Sequence, residues 1–275
     1  MSHTEQFLER LVGSDRAIDA SQVALLVAHP DDETLGCGGQ LFRLRGALLT
    51  VTTDGSPENL ADARRENLRS REEYAALRAA ELRNALTVCN APVELIALGV
   101  GDQRASFHMF EAVHELLPLL RRRGTRILMT HAYEGGHPDH DATACVAHHC
   151  ARLLRRRGQD VSVIEMPFYT NGPHGMLRQR FPCACEHPEL EVVLSRAARS
   201  CKLRMLAAHR SQRGVLGQFD TTTERFRLAP EYDFSQPPNG RALLYERYPW
   251  GMSGELWKAL VQATQRRLDA SLPGG

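Results

Sequence analysis

Val27-Ala28-His29-Pro30-Asp31-Asp32-Glu33-Thr34-Leu35-Gly36-Cys37-Gly38-Gly39 is the stretch on which the fold reading turns. The apolar run Val23 to Val27 leads into it with strand character. Pro30 ends the strand, since it has no N–H to give to a ladder. A helix pattern follows from about Gly38 to Arg45. One imidazole and three carboxylates therefore stand at the C-terminal end of a strand, where an open α/β sheet keeps its ligand crevice. Carboxylates this close repel one another unless a cation or solvent relieves them, and a metal ion is the economical explanation.

A second stretch has the same form. Ile127 to Thr130 reads as a buried strand and runs into His131-Ala132-Tyr133-Glu134-Gly135-Gly136-His137-Pro138-Asp139-His140-Asp141, after which a helix pattern extends to about Arg157. In a parallel sheet the two polar turns open on the same edge. Strands are also expected at Ala47 to Thr53, Val93 to Leu98 and Val161 to Pro167. Helices are expected at Phe7 to Val12, Asn59 to Val88 (one or two), His108 to Arg123 and Leu190 to His209. Phe226 to Pro238 reads as irregular, and Tyr245 to Trp250 as an aromatic segment. The alternation predicts a Rossmann-like α/β fold: an open, mainly parallel sheet flanked by helices. The segment after residue 170 is expected to be an irregular elaboration folded over the mouth of the sheet, within one domain of 275 residues.

His29-Pro30-Asp31-Asp32-Glu33 and His137-Pro138-Asp139-His140 together resemble the LmbE/PIG-L family of metal-dependent N-deacetylases, over roughly Val23 to Pro167. The resemblance implies a metal held by His29, Asp32 and His140. Two imidazoles and a carboxylate leave positions open for water and substrate, as in catalytic zinc sites. The same donor set suits iron(II). The resemblance further makes Asp31 the general base and His137 the group that stabilises the tetrahedral oxyanion as imidazolium, with Asp139 orienting it. Glu33 either orients a ligand or favours the helix N-terminus. Arg78, in Arg78-Ala79-Ala80-Glu81-Leu82, matches a family helix whose arginine faces the substrate; pairing with Glu81 on a solvated face is the alternative. Asp102, in the turn Gly99 to Gln103, corresponds to an acidic residue that bonds a sugar hydroxyl, and Asp54 stands in a turn that lines the pocket or is a plain turn residue.

The activity implied is hydrolysis of an N-acetyl group on an amino sugar or glycoconjugate. An amidase acting on a thiol conjugate and a non-catalytic sugar-binding relative are the alternatives. An iron(II) oxygenase would use a similar triad, but those sites usually sit in antiparallel β jelly rolls, against the strand–helix alternation here.

Composition narrows the partners. Thirty-four basic residues against 33 acidic ones give a net charge of +1, unlike the basic face of most nucleic-acid-binding domains. Arg121-Arg122-Arg123 and Arg155-Arg156-Arg157 each precede a glycine at the end of a helix pattern, and read as cations on helix C-termini rather than phosphate binders. The glycines at 36, 38 and 39 lack the spacing of a dinucleotide fingerprint and follow an acidic cluster, so they read as close packing of helix on sheet. Met1 to Arg16 has no apolar signal-peptide core, and no run is long enough for a bilayer. The seven cysteines are scattered, with Cys183 and Cys185 too close for an ordinary disulfide. Free thiols in a cytoplasmic protein acting on a small molecule is the expectation. His108 and His114 read as surface groups, and His148 and His149 lie too far down their helix for a ligand role.

Overall fold

The structure is a computed structural model that describes residues 2–13, 15–172, 175–181, 185–240 and 242–271. Its centre is a seven-stranded sheet. In chain order the strands are β1 (Val23–Val27), β2 (Leu48–Thr53), β3 (Glu94–Val100), β4 (Ile127–His131), β5 (Ser162–Met166), β6 (Leu190–Val193) and β7 (Thr223–Leu228). Across the sheet the order is β6-β7-β5-β4-β1-β2-β3. The five strands from β5 to β3 are parallel, with Leu25 of β1 level with Leu49 on one side and Met129 on the other. β7 and β6 add antiparallel at one edge. The chain winds outward from β1 through β2 and β3, then returns to β4 on the other flank of β1. The order therefore reverses between β1 and β4, and in open α/β sheets the ligand crevice lies at the carboxyl ends of the strands at such a point.

Residues of β1 alternate between two cores, as the two-residue period of a strand requires. Val23, Leu25 and Val27 join one cluster with Phe7, Leu11, Leu41, Leu82 and Met205. Ala24 and Leu26 join the other with Leu116, Leu120, Leu154 and Trp257. The first face is covered by α1 (His3–Gly13), α2 (Asp32–Leu41), α3 (Arg71–Val88) and α6 (Arg196–Ala208); the second by α4 (Met109–Arg122), α5 (Pro138–Arg156) and α7 (Gly254–Ser271).

The expected elements from α1 to β5 are present, and the differences have physical causes. α2 starts at Asp32 rather than near Gly38, because the acidic triplet forms its first turn. It is broken at Cys37, whose φ of −147° and ψ of 26° are not helical. The glycines around the break let it lie on its neighbours: a Cβ at Gly36 would stand 2.9 Å from Met166 Sδ, and one at Gly39 2.6 Å from Leu194. The arginine runs do end helices, before Gly124 and Gly158, which take φ of 61° and 80°.

After residue 170 the structure departs from the sequence reading. The expected helix from Leu190 divides into β6 and α6, with Ser195 as N-cap accepting the Ala198 N–H at 3.1 Å. The stretch expected to be irregular from Phe226 begins inside β7. α7, eighteen residues long, was not anticipated. A hairpin of Tyr169–Gly172 with Gly175–Arg178 follows β5. The all-thiol expectation is corrected at one pair: Cys89, at the end of α3, and Cys201, in α6, form a disulfide with Cα atoms 5.6 Å apart. A separation of 112 residues hides such pairing from the sequence. Cys37, Cys145, Cys150 and Cys185 are free, and Cys183 lies outside the described residues. Among the described residues no helix is long and apolar enough to cross a membrane.

Candidate metal and active site

The turns after β1 and β4 meet at the switch point, and their side chains interlock. His29 Nδ1 lies 3.2 Å from Asp32 Oδ2 and 3.2 Å from His140 Nε2. Asp32 Oδ2 and His140 Nε2 are 3.5 Å apart. The backbone builds this trio. The carboxylate of Asp32 accepts the His29 N–H at 2.7 Å, which folds the turn back on itself. His140 comes from the first turn of α5, where Pro138 sits at the start and His137 is the N-cap, its Nδ1 accepting the Asp139 N–H at 3.1 Å.

Three donors mutually 3.2–3.5 Å apart test well against a small cation. Ligand bonds of about 2.0–2.1 Å in a tetrahedron place neighbouring donors roughly 3.3–3.4 Å apart. His131 also approaches Asp32 (3.5 Å) and stacks on His140 (ring centroids 4.1 Å apart), but its Nε2 already accepts the Ala28 N–H at 2.9 Å. That bond occupies its Nε2, so we place it beside the trio, although it too lies within reach of an ion shared with Asp32 and His140. The other nitrogen of His29 faces away from the trio, 3.2 Å from Asp102 Oδ1 and 3.3 Å from Asp139 Oδ2. A carboxylate behind a histidine fixes its tautomer and sharpens its donor nitrogen. Asp139 is held in turn by the N–H groups of Gln103 (2.6 Å) and Ala105 (3.0 Å).

The imidazoles and carboxylates of this cluster shift one another's pKa values. Burial opposes a charge on His29, yet the carboxylates of Asp102, Asp139 and Asp32 outweigh it, and its pKa is raised well above the ordinary histidine value. Burial would raise Asp32, but His140, His131 and His29 hold it well below the usual range. Asp102, likewise buried, is depressed mainly by His29. Asp31 behaves differently: burial, with the adjacent Asp32, pushes it up to about 6 against the pull of Arg78.

Arg78 is where sequence and structure differ most. It is only 4 % exposed, and its guanidinium bonds Asp31 Oδ2 (3.0 Å), the Pro30 carbonyl (3.0 Å) and the Gly55 carbonyl (3.2 Å). It clamps the turn after β1, and Glu81, the partner expected on a solvated face, is engaged elsewhere. Glu81 instead accepts the N–H and hydroxyl of Ser211 at 2.9 and 2.7 Å. Asp54 is a turn residue, accepting the Ser56 N–H at 2.9 Å and bound by Arg71 at 2.6 Å. Glu33 is fully buried beside His209, 3.4 Å away, which is a residue of the C-terminal half and no ligand. Burial opposes a charge on His209, but Glu33 raises its pKa.

His137 is pushed down to about 4 by burial and then by the charge on His29, the direction opposite to that of the expected imidazolium. Because Nδ1 accepts the Asp139 N–H, the proton sits on Nε2. One neighbour of this ring comes from outside the two motifs. Trp250 packs on His137 with centroids 4.4 Å apart and stacks on Tyr248 at 4.5 Å. The Leu244 N–H bonds the Gly135 carbonyl at 2.7 Å, tying that segment to the second turn. The aromatic run Tyr245 to Trp250 was visible in the sequence, but nothing local linked it to His137. His108 and His114 are exposed as expected, and His148 and His149 lie just past the middle of α5.

Fold and site together define an open α/β protein with a candidate histidine–carboxylate cation site at the topological switch point. Residues 24–151 match the family model PIG-L, described as GlcNAc-PI de-N-acetylase, and over that segment the chain carries the family pattern. No curated protein sequence matches the chain. Solved structures share the fold at low identity. An N,N'-diacetylchitobiose deacetylase from Pyrococcus horikoshii has 18% identity and a TM-score of 0.55, over 84% of this chain and 94% of its own. The zinc-inhibited form of a teicoplanin deacetylase has 13% identity and a TM-score of 0.57, over 77% and 98%. A deacetylase of an antimicrobial pseudoaglycone has 16% identity and a TM-score of 0.58, over 77% and 97%.

Proposed function

We propose that this chain is a metal-dependent N-deacetylase that hydrolyses the N-acetyl group of an amino sugar or glycoconjugate, releasing acetate and a free amine. The observation that carries the reading is the trio of donor atoms on His29, Asp32 and His140, 3.2–3.5 Å apart at the head of the crevice. The family match and the names of the structural neighbours support the reaction class. Zinc is the preferred ion on the donor set, with iron(II) the alternative. Such an ion supplies acidified water and polarises the acetyl carbonyl.

The chain's own groups do the rest. Asp31, the buried carboxylate with a raised pKa, takes a proton from the attacking water and delivers it to the leaving nitrogen. Arg78 is a positioning residue that fixes the carboxylate of Asp31 and neutralises part of its charge. The Nε2–H of neutral His137 donates to the oxyanion as it forms, and a neutral donor in fixed geometry is sufficient for that role. Asp139 and Asp102 hold His29 from behind, and Asp102, the more exposed of the two, would accept a sugar hydroxyl.

The test is a panel of N-acetylated glycosides with detection of free amine. It is run on the metal-loaded chain, on the chelated chain and after zinc or iron(II) is restored. Amine release that vanishes on chelation and returns with metal supports the reading. Release that survives complete removal of metal overturns it.

A further inference from the structure

Two arginine runs look alike in the sequence, and the structure separates them. Arg123 of the first donates to Glu94 Oε2 at 2.5 Å and to the Gly46 carbonyl at 2.6 Å. The second run lies on a cavity of about 640 Å³ between the C-terminal half of α5, the segment 231–235 and α7. Arg152, Arg155, Arg156 and Arg266 line it against the carboxylates of Glu231 and Asp233, so four positive charges face two negative ones, a net +2. Even that offset is incomplete. Asp233 is engaged by the N–H and hydroxyl of Ser235. Glu231 reaches only Arg155, at 3.5 Å. Arg156 and Arg266 have no ion-pair partner among the described residues.

The interior wall is polar and underused. His149 is 8 % exposed and also lines the cavity; its Nε2, the Nε2 of His148 and the Nε of Arg152 have no hydrogen-bond partner. Burial, followed by the neighbouring Arg156, lowers Arg152 from its ordinary value, and Asp269 offsets only part of that. The volume falls within the span of about 300–1,000 Å³ typical of small-molecule pockets. The cavity is remote from the candidate active site. Arg152 stands twelve residues along α5 from His140, which at about 1.5 Å per residue is roughly 18 Å.

We infer that this cavity binds a small phosphorylated molecule, the phosphate held by the arginine forks and the organic part filling the volume beneath. Guanidinium groups match phosphate in a way that ammonium groups do not, offering two parallel N–H donors to two oxygens. The net +2 is the complement of one phosphate dianion, and the cavity is too large for inorganic phosphate alone. The inference does not depend on the deacetylase reading.

The experiment is thermal unfolding and calorimetric titration of the metal-loaded chain with inorganic pyrophosphate, adenosine monophosphate and citrate. The wild type is compared with Arg156→Gln/Arg266→Gln, both exposed positions, and with Arg266→Gln alone in case the double variant folds poorly. At about 100 times Kd, a phosphate ligand should raise Tm by roughly 5–10 °C. The double variant should bind at least tenfold more weakly, the effect of losing a charge-assisted hydrogen bond. Response to both phosphates, or to adenosine monophosphate alone, supports the inference. No response to either phosphate overturns it. Equal responses in wild type and variants, as would follow from binding at the metal site, overturn it too. A citrate response matching the phosphates overturns the assignment to phosphate.

Discussion

Glu224→Gln should be among the most destabilising isosteric changes in this chain, and the reason lies in the break in α2. In an unbroken helix the Gly39 N–H would bond the Leu35 carbonyl. At the break the two groups part. The Gly39 N–H goes to Glu224 Oε1 at 2.8 Å, the Leu35 carbonyl accepts from Lys202 Nζ at 2.7 Å, and Lys202 and Glu224 meet at 2.9 Å. A fully buried ion pair thus fills the place of one missing helical hydrogen bond. Glutamine keeps the shape and the oxygen that Gly39 and Lys202 share, but it leaves the buried ammonium of Lys202 with no countercharge. Breaking a buried pair by neutralising one partner costs about 3–5 kcal/mol. For a chain of this size that lowers Tm by roughly 6–20 °C, at about 2–4 °C per kcal/mol. The assay is urea denaturation followed by circular dichroism for the wild type, Glu224→Gln, Lys202→Met and the double variant. The double variant should lose less than the two single losses added together, by about 0.5–3 kcal/mol, since it contains no orphaned charge. A loss under about 1 kcal/mol for Glu224→Gln, with the two changes simply additive, would refute the splice.

Asp31→Asn should keep the metal near wild-type content while kcat falls about 10²–10⁴-fold, the span of general acid–base catalysis. Asp32→Asn, His29→Ala and His140→Ala should lose metal, as measured by elemental analysis, and the opposite pattern for the two aspartates would exchange their roles. Gly136→Ala should abolish activity and cost stability, because an added Cβ would run into the Tyr169 carbonyl oxygen; a variant with unchanged Tm and turnover would contradict that packing. His148→Phe should flatten the acid limb of stability. Burial pushes His148 down to about 3, below its value of 6.5 when unfolded, so its contribution is present above pH 6.5 and lost as pH falls toward 3. Between pH 7 and 5 the wild type should lose about 2 kcal/mol more than the variant in urea titrations, and parallel pH profiles would show that the ring is not buried neutral.

What the sequence reveals and conceals here follows from the range of each interaction. β1, β4 and the turns after them were legible because each is local: an apolar run, a proline, then chemistry at the strand end, with only the parallel pairing left to topology. β7 was not legible, because Glu224, Arg225 and Arg227 make half of it look like a solvated segment. Those charges are buried by partners from elsewhere in the chain: Lys202 in α6, Glu191 in β6 and Glu165 in β5. A charged strand can be interior only when its countercharges arrive from other elements, and no window of local sequence contains them. Arg78 teaches the same lesson at the site. Its match to a family helix located it near the crevice, but whether it touches substrate or clamps Asp31 depends on the carbonyls of Pro30 and Gly55, which belong to turns 48 and 23 residues away. Trp250 is the reverse case, a residue whose own segment gives no hint of chemistry but which the fold sets against His137. The two motifs thus supply the reacting groups, and the residues that fix the shape of the crevice around them come from parts of the chain that only the folded structure brings near.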